Sequence, residues 1–274
     1  MTAAALIDAV GTHHPPIAAG SAPRIVSLVP SITELLCDLG LATALVGRTG
    51  FCIHPAALVQ AIPKVGGTKD INVERVLHLA PTHLIVNIDE NPQPVVAHLA
   101  QHIPHVIVTH PLAPTDNLDL YRLLGGIFGC GEQAETLCSA WLAADAKCVA
   151  AIPQRVLYCI WKDPWMTVAR DTYIARMLAR IGWTQWQHPA SAARYPSFEW
   201  SQVLQQSIDR VLLSSEPYRF TERHVDALEQ QLGKPVQLVD GEMLSWYGSR
   251  AIAGLRYLDQ LARGEAGRSA PSSV

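Results

Sequence analysis

The sequence lacks the charge pattern of a nucleic-acid-binding or membrane-surface protein. Its 274 residues carry a net charge of -3, with an isoelectric point near 6.4. No basic run or arginine-rich stripe occurs along the chain. Nucleic acid and anionic lipid are therefore not expected as partners. No stretch is long and apolar enough to span a bilayer, so membrane insertion is not expected either.

Catalytic and redox signatures are also missing. The sequence has no Gly-x-Ser-x-Gly elbow, no phosphate-binding loop and no Gly-x-Gly-x-x-Gly after its first strand. Its six cysteines are scattered without a Cys-x-x-Cys pair. This usage is typical of small buried apolar residues rather than of disulfides or a zinc knuckle. An enzyme is therefore not predicted, and no tightly bound cofactor is expected.

The beginning of the sequence does not resemble a signal peptide. No basic segment precedes its short apolar run, and Asp8 interrupts that run. As printed, the chain is expected to be cytoplasmic, and the free cysteines fit a reducing compartment slightly better than an oxidising one. A periplasmic location is expected if a signal has been removed.

What the sequence does contain is a regular alternation of strands and helices. Residues 25–29 are a short β-branched run, and Ser31 with Glu34 then predicts a capping box at the start of a helix. Asn72 is predicted to cap a later helix in the same way. Alternation of this kind predicts an α/β fold with parallel sheets and helices on both faces.

One segment departs from the alternation. Residues 132–151 contain no Pro or Gly and are rich in Ala, Leu and Glu, which predicts one long helix. The predicted organisation is a flexible N-terminal arm at 1–23, an α/β lobe at 24–130, a linking helix at 131–152, a second α/β lobe at 153–263 and a frayed tail at 264–274.

Several segments resemble a known family. Residues 24–35 resemble the opening of substrate-binding proteins for iron-siderophores and cobalamin. Residues 65–68 and 72–76 resemble the second signature of that group. Residues 81–86 stand where the group has a first-lobe strand that follows a Pro-Asp motif. The chain thus resembles the helical-backbone metal receptors, binding proteins of ABC importers. This implies a class III periplasmic binding protein fold, with two Rossmann-like lobes bridged by one long helix.

Further blocks are similar to a branch of that family described as cobalamin-binding. They are residues 51–55, 66–69, 161–168, 215–218 and 245–248. The resemblance implies a monomer that holds a metal chelate, such as a corrinoid or a ferric siderophore, in a cleft between the lobes. Thr68 stands where the binding protein of the cobalamin importer carries a tryptophan.

Candidate ligand-binding residues follow from the rule that ligands lie outside the carboxyl ends of strands in an open α/β sheet. Aromatic side chains at such turns suit a flat conjugated ligand, and charged groups suit its carboxylates or amides. The predicted set is Phe51, Thr68, Lys69, Glu90, Trp161, Trp165, Glu216, Tyr218, Trp246, Tyr247 and Arg250. An alternative for Trp161 and Trp165 is a place in the core at the end of a strand.

A metal site is a further candidate. Cys52 and His54 share one turn, and a Cys-x-His pair can ligate zinc, copper or an axial position of cobalt. Additional ligands would come from Asp89, Glu90 or Glu242. The alternative is that Cys52 is simply a buried apolar residue.

The resemblance also implies contact with an ABC permease through one acidic residue on each lobe. Glu74 matches the position on the first lobe. Ser201 occupies the position on the second lobe, and Glu199 is a nearby substitute. Three functions stay open: a chelate-binding protein of an importer, a cytoplasmic chelate-handling or sensing protein of the same fold, and a metal-dependent enzyme that uses the cleft.

Overall fold

A computed structural model describes residues 6–265, which form two compact α/β units. Unit 1 contains the chain up to Pro111, Thr115–Ala140 and Tyr247–Arg250. Unit 2 contains Leu112–Pro114, Trp141–Trp246 and the chain from Ala251 onwards. None of the helices within residues 6–265 is both long and apolar enough to cross a bilayer.

Unit 1 is built on a four-stranded parallel sheet. Its strands are β1 (Ile25–Ser27), β2 (Leu45–Arg48), β3 (His83–Asn87) and β4 (His105–Thr109), in the order β2-β1-β3-β4. Its helices are α1 (Pro30–Asp38), α2 (Ala56–Val59), α3 (Val73–His78), α4 (Gln93–Leu99), α5 (Asp116–Phe128) and the first part of α6 (Gly131–Asp145). Leu28, Leu84, Val86 and Leu99 belong to a buried cluster in which strand residues meet residues of the covering helices. This matches the predicted α/β class.

Unit 2 contains a five-stranded mixed sheet. Its strands are β5 (Gln154–Trp161), β6 (Met166–Thr167), β7 (Trp183–Gln185), β8 (Arg210–Ser214) and β9 (Val236–Val239). Strand β5 pairs in parallel with β7 and β8, β8 pairs in parallel with β9, and β6 is antiparallel to β5. Its helices are α7 (Tyr173–Ala179), α8 (Gln202–Ser207), α9 (Glu222–Leu232), α10 (Gly241–Ser245) and α11 (Arg250–Arg263), although Arg250 itself lies in unit 1.

Helix α6 is shorter than predicted. It ends at Asp145 rather than continuing to Ile152, and the boundary between the units falls within it. A continuing helix would pair the Asp145 carbonyl with the Val149 amide. Instead, Arg180 Nη2 donates to the Asp145 carbonyl at 2.8 Å, and the Val149 amide donates to Asp259 Oδ1 at 3.1 Å. The Cys148 amide also donates to the Asp145 carbonyl at 3.1 Å, so a tight turn and side chains distant in the sequence together replace the helical hydrogen bond.

Within the predicted flexible arm, residues 6–17 make hydrogen bonds to one another and to the rest of unit 1. Asp8 and His14 are buried, and His14 Nε2 lies 3.1 Å from Asp8 Oδ2. The Ala9 amide donates to the Val108 carbonyl at 2.9 Å, and the Ile17 amide donates to the Ile127 carbonyl at 2.8 Å. The Asp8–His14 pair and these backbone hydrogen bonds hold the segment in place, and composition alone does not reveal them. Residues 1–5 of the predicted arm and residues 266–274 of the predicted tail lie outside the described residues.

Two predicted helix caps have different outcomes. The Asn72 side chain accepts a hydrogen bond from the Arg75 amide, which confirms Asn72 as the cap of α3. The prediction for Ser31 is wrong, because α1 begins at Pro30 and Val29 precedes it without a side-chain cap. Proline is well suited to the first helical position, since its φ is already helical and it has no amide to satisfy.

Residues 247–250 belong to unit 1 although they lie late in the sequence. The Gly248 amide donates to Asn117 Oδ1 at 2.7 Å, and Tyr121 Oη donates to the Gly248 carbonyl at 2.8 Å. Gly248 has a φ of 75°, and a Cβ atom there would lie 2.9 Å from the Ser31 carbonyl oxygen. Only glycine fits this turn without strain.

Candidate functional site

In unit 1, the loops after β1 and β3 are tied to the turn at residues 66–69, between α2 and α3. Asn91 Nδ2 donates to the carbonyls of Leu28 and Thr68, at 3.2 and 3.1 Å. Lys69 Nζ donates to the Asp89 carbonyl at 2.6 Å. The predicted residues Thr68 and Lys69 are thus brought to the loop that carries Glu90. The structure assembles this part of the predicted set on one edge of the sheet.

The turn at Gly66 holds these loops at close range. Gly66 has a φ of 108°, and a Cβ atom there would lie 2.2 Å from the Asp70 carbonyl oxygen, so this turn requires glycine. The Gly50 amide donates to the Gly66 carbonyl at 2.7 Å. A Cβ atom added to the adjacent Gly67 would lie 3.2 Å from the Phe51 ring. The turn thus positions Phe51 beside Thr68 and Lys69.

Exposed apolar side chains accompany these polar groups. Phe51 is 62% exposed, Ile53 is 49% exposed and Ile88 is 46% exposed. All three follow a strand of the parallel sheet. Ile53 and Ile88 were not among the individual residues predicted from the sequence, although their position after a strand is a signal that sequence reasoning can use. Exposed apolar groups among fixed polar ones are typical of a ligand-binding surface.

Cys52 and His54 do not assemble the predicted metal site. Cys52 is fully buried, and its sulfur lies 3.1 Å from the hydroxyls of both Thr33 and Thr49. Burial raises the pKa of the Cys52 thiol, which disfavours the thiolate that a metal binds. Within residues 6–265, no group of three or more His, Cys, Asp and Glu side chains is placed to hold a metal ion. His54 is partly exposed in the same loop as Phe51.

Three predicted ligand residues in unit 1 have partners within that unit. Tyr247 is buried and its hydroxyl lies 2.5 Å from Glu90 Oε1. Arg250 donates from Nε and Nη2 to the two carboxylate oxygens of Glu34, each at 2.7 Å. This bidentate ion pair connects the start of α11 to α1. The structure gives Arg250 a structural partner that its sequence neighbours do not indicate.

In unit 2, the predicted aromatic residues divide into two groups. Trp161 is 39% exposed at the end of β5, and its ring packs edge-on against Tyr218 with centroids 5.5 Å apart. Trp165 instead stacks on Phe220, at 5.8 Å and 12°, and packs against the buried core cluster. Tyr218 contacts the same cluster. Trp165 therefore belongs to the core, which was the alternative to ligand binding. Of Trp161, Trp165 and Tyr218, Trp161 is the most exposed.

Glu216 and Trp246 form a second pair in unit 2. Trp246 is buried, and its indole Nε1 donates to Glu216 Oε1 at 2.8 Å. Ser245 Oγ donates to the same oxygen at 3.0 Å. Burial and the nearby Glu242 carboxylate raise the pKa of Glu216. These residues follow β8 and β9, so they lie at the same edge of the sheet as Trp161 and Tyr218.

The predicted permease-docking residues are both on the surface. Glu74 is exposed in the first turn of α3 and lines a surface cavity of about 590 Å³ with Lys64 and Arg75. Glu199 is exposed in the loop before α8. Ser201 caps α8, because its hydroxyl accepts a hydrogen bond from the Leu204 amide at 3.1 Å. Ser201 therefore has a local structural role.

The family follows from comparison with known proteins. A model of the family described as Periplasmic binding protein matches residues 25–233. The chain belongs to this family. The class III periplasmic binding protein fold predicted from the sequence is thereby confirmed, and so is the resemblance on which the prediction rested.

Relatives within the family bind different ligands. The vitamin B12-binding protein of Pectobacterium atrosepticum is 24% identical over 249 residues, which cover 87% of this chain and 88% of the relative. The periplasmic vitamin B12 binding protein BtuF of Vibrio cholerae has a TM-score of 0.74 at 19% identity, covering 89% of this chain and 98% of its own. The periplasmic heme-binding protein RhuT of Roseiflexus sp. RS-1 has a TM-score of 0.75 at 22% identity, covering 90% and 100%. The shared fold therefore accommodates more than one kind of ligand.

Proposed function

We propose that this periplasmic binding protein binds a flat metal chelate, a corrinoid or a heme, through the loops at the carboxyl ends of the strands in each unit. The observation that carries the proposal is the exposed apolar surface of Phe51, Ile53 and Ile88 beside the polar groups of Lys69 and Glu90. A conjugated ring system matches apolar side chains on its faces and polar groups at its rim.

The named ligands of similar proteins support the choice of chelate. Two relatives are named for vitamin B12 and one for heme, and both ligands are large conjugated rings around a metal. In unit 2, Trp161 is an exposed aromatic residue at the end of a strand. His54 is the candidate for an axial contact to the metal, since a neutral imidazole is a suitable ligand for iron or cobalt. A ferric siderophore is the third ligand class to be tested.

The experiment is a titration of the purified protein with cyanocobalamin, cobinamide, hemin and a ferric catecholate siderophore. Tryptophan fluorescence reports the approach of the chelate, and all seven Trp residues belong to unit 2, between Trp141 and Trp246. Changes in the visible absorption of the chelate report on the metal. We expect saturable binding of a corrinoid or hemin, and His54→Ala to change the absorption of the bound chelate. Saturable binding of the siderophore alone would contradict the choice of a conjugated ring.

Two substitutions and a matched control test the placement of the ligand. Phe51→Ala and Trp161→Ala are each expected to weaken binding about tenfold or more, because truncating an aromatic contact removes apolar area from the complex. Val203→Ala is the control, since Val203 is 78% exposed but belongs to helix α8 rather than to a loop that follows a strand. Equal affinities for all three variants would remove these loops from the site.

We further propose that Glu74 docks the protein to the permease of an ABC importer. Its carboxylate is exposed on α3 and available to a basic partner. Charge reversal in Glu74→Arg should abolish stimulation of the importer's ATPase while leaving chelate affinity unchanged. Glu222→Arg is the matched control, because Glu222 is also exposed in the first turn of a helix. Stimulation that survives Glu74→Arg would exclude this docking residue.

A second candidate function is chelate handling or sensing without a transporter. It is favoured by Ser201, whose hydroxyl caps α8 at the position where the family resemblance implies an acidic residue. In that case the protein would bind the chelate but would not stimulate any permease–ATPase complex, and fractionation would find it in the cytoplasm rather than the periplasm.

A further inference from the structure

Unit 2 contains a second cavity, at the amino ends of its parallel strands. It has a volume of about 390 Å³. Strands β5, β7 and β8 each contribute their first residue, and β9 and α11 complete the lining; the principal residues are Gln154, Trp183, Arg210, Gln237, Leu261 and Arg263. Because the strands are parallel, this end of the sheet is opposite to the loops that carry Trp161 and Glu216. The cavity is therefore distinct from the proposed chelate site.

Arg210 is a cation without an anionic partner in this cavity. Its Nε donates to Gln154 Oε1 at 2.9 Å and its Nη1 donates to Gln237 Oε1 at 2.7 Å, and both acceptors are neutral. Its Cζ lies over the Trp183 ring, 5.3 Å from the centroid. Across residues 6–265, no carboxylate lies within ion-pair distance of Arg210. A partly buried guanidinium whose hydrogen-bond acceptors are all neutral is a favourable binding group for an anion.

Trp183 supplies an independent observation. Its side chain is only 3% exposed, and its indole N–H has no acceptor within the described part of the chain. A buried N–H without an acceptor is unfavourable, and such groups usually mark a missing partner. Trp183 lines the cavity and its ring lies under the Arg210 guanidinium, so a ligand that enters the cavity would change the surroundings of this N–H. The other cation of the cavity, Arg263, is already paired with Asp259 at 2.9 Å.

We propose that this cavity binds a small organic carboxylate. The carboxylate would lie at Arg210, which keeps an unused Nη2 group in its guanidinium fork, and the organic part would pack against Trp183 and Leu261. The volume is at the lower end of the range for small-molecule sites, which suits a compact ligand rather than a chelate. Ile152, which is 81% exposed, adds apolar surface at the cavity.

The probe is benzoate, and the measurement is the indole N–H resonance of Trp183 in a two-dimensional ¹⁵N–¹H NMR spectrum. Trp183→Phe identifies that resonance among the seven indole signals. We expect benzoate to move it in a saturable manner at millimolar concentrations, the affinity of a small fragment. Arg210→Gln should weaken binding about tenfold or more, because it removes the charged donor. Arg256→Gln is the control, since it removes an exposed cation of α11 that does not line the cavity.

Three results would overturn the inference. One is the absence of a saturable shift in the wild-type spectrum. Another is equal benzoate affinity in Arg210→Gln and Arg256→Gln. The third is a saturable response to inorganic phosphate without one to benzoate, which would point to an oxyanion rather than an organic acid. If Arg210→Gln does not fold, Arg210→Lys serves instead, and it should weaken binding because lysine lacks the planar fork. Chelate affinity should be unchanged in every variant.

Discussion

The loops at the carboxyl ends of the strands are held differently in the two units. In unit 1, side-chain amide, ammonium and carboxylate groups tie the loops together, as in the bonds of Asn91 to Leu28 and Thr68. In unit 2, rings pack on rings, and Trp165, Tyr218 and Phe220 join the loops to the core cluster. Phe51 in unit 1 is accordingly exposed, while most aromatic residues at the same edge of unit 2 pack against neighbouring side chains.

This contrast shows why counting aromatic residues overestimates a binding surface. An aromatic side chain at the end of a strand contacts either a ligand or the core, and the sequence pattern is the same for both. Trp161 and Trp165 are four residues apart, yet one is 39% exposed and the other stacks on Phe220. Polar ties between loops, by contrast, leave apolar side chains free to face outwards.

The largest expected effect on stability comes from breaking a polar contact of unit 1. Arg250→Met should lower the free energy of unfolding by about 3–5 kcal/mol, because Glu34 would be left as a partly buried charge without its bidentate partner. Arg256→Met, an exposed change on the same helix, should alter it by less than about 0.5 kcal/mol. Urea unfolding followed by circular dichroism measures both. Equal midpoints for the two variants would show that the ion pair contributes nothing to stability.

The next effect compares two tryptophans of unit 2. Trp165→Ala should destabilise the protein by about 3 kcal/mol, because its ring packs against the core cluster. Trp161→Ala should cost less than about 1 kcal/mol, since much of its ring already contacts water. Because the wild-type fluorescence comes from unit 2, urea unfolding followed by fluorescence measures this difference directly. A larger loss for Trp161→Ala would reverse the assignment of core and surface roles.

The smallest expected effect is a dependence of stability on pH that arises from His83 in unit 1. Burial, together with the neighbouring His105 and His14, lowers the pKa of His83 from 6.5 to about 4. The unfolded chain therefore binds a proton near pH 6.5 that the folded chain does not bind until about pH 4, so stability falls as the pH drops through this range. The expected loss from His83 between about pH 7 and about pH 5 is roughly 2 kcal/mol.

A matched pair of variants isolates that contribution. His83→Gln should flatten the dependence of the urea midpoint on pH by the corresponding amount, because glutamine does not titrate. His98→Gln, at an exposed position on α4, is the control variant. If both variants retain the wild-type slope, another group is responsible for the loss of stability in acid.

Much of the fold could be predicted because local signals determine it. The β-branched run before Pro30 and the cap at Asn72 are short-range features, and both mark elements in the structure. The end of α6 could not be predicted, because it depends on Arg180 and Asp259, which are distant in the sequence. The ordered segment at Asp8 depends on contacts with β4 in the same way.

The grouping of the candidate site residues was predictable, but their partners were not. The rule that ligands lie beyond the carboxyl ends of parallel strands brings Phe51, Lys69 and Glu90 to one edge. The bond of Tyr247 to Glu90 and the pair of Arg250 with Glu34 each join positions far apart in the sequence. A single sequence carries no signal of which charged residue a distant arginine will meet.

The buried pair of Asp8 and His14 has a consequence for the association of the protein with itself. Strand β4 is the outermost strand of its sheet, and an unpaired outer strand offers backbone groups to any other extended chain. The Val108 amide donates to Asp8 Oδ2 at 3.0 Å, and its carbonyl accepts from the Ala9 amide at 2.9 Å. Asp8 and Ala9 thus occupy backbone groups of β4 through which the sheet of one molecule would otherwise pair with that of another.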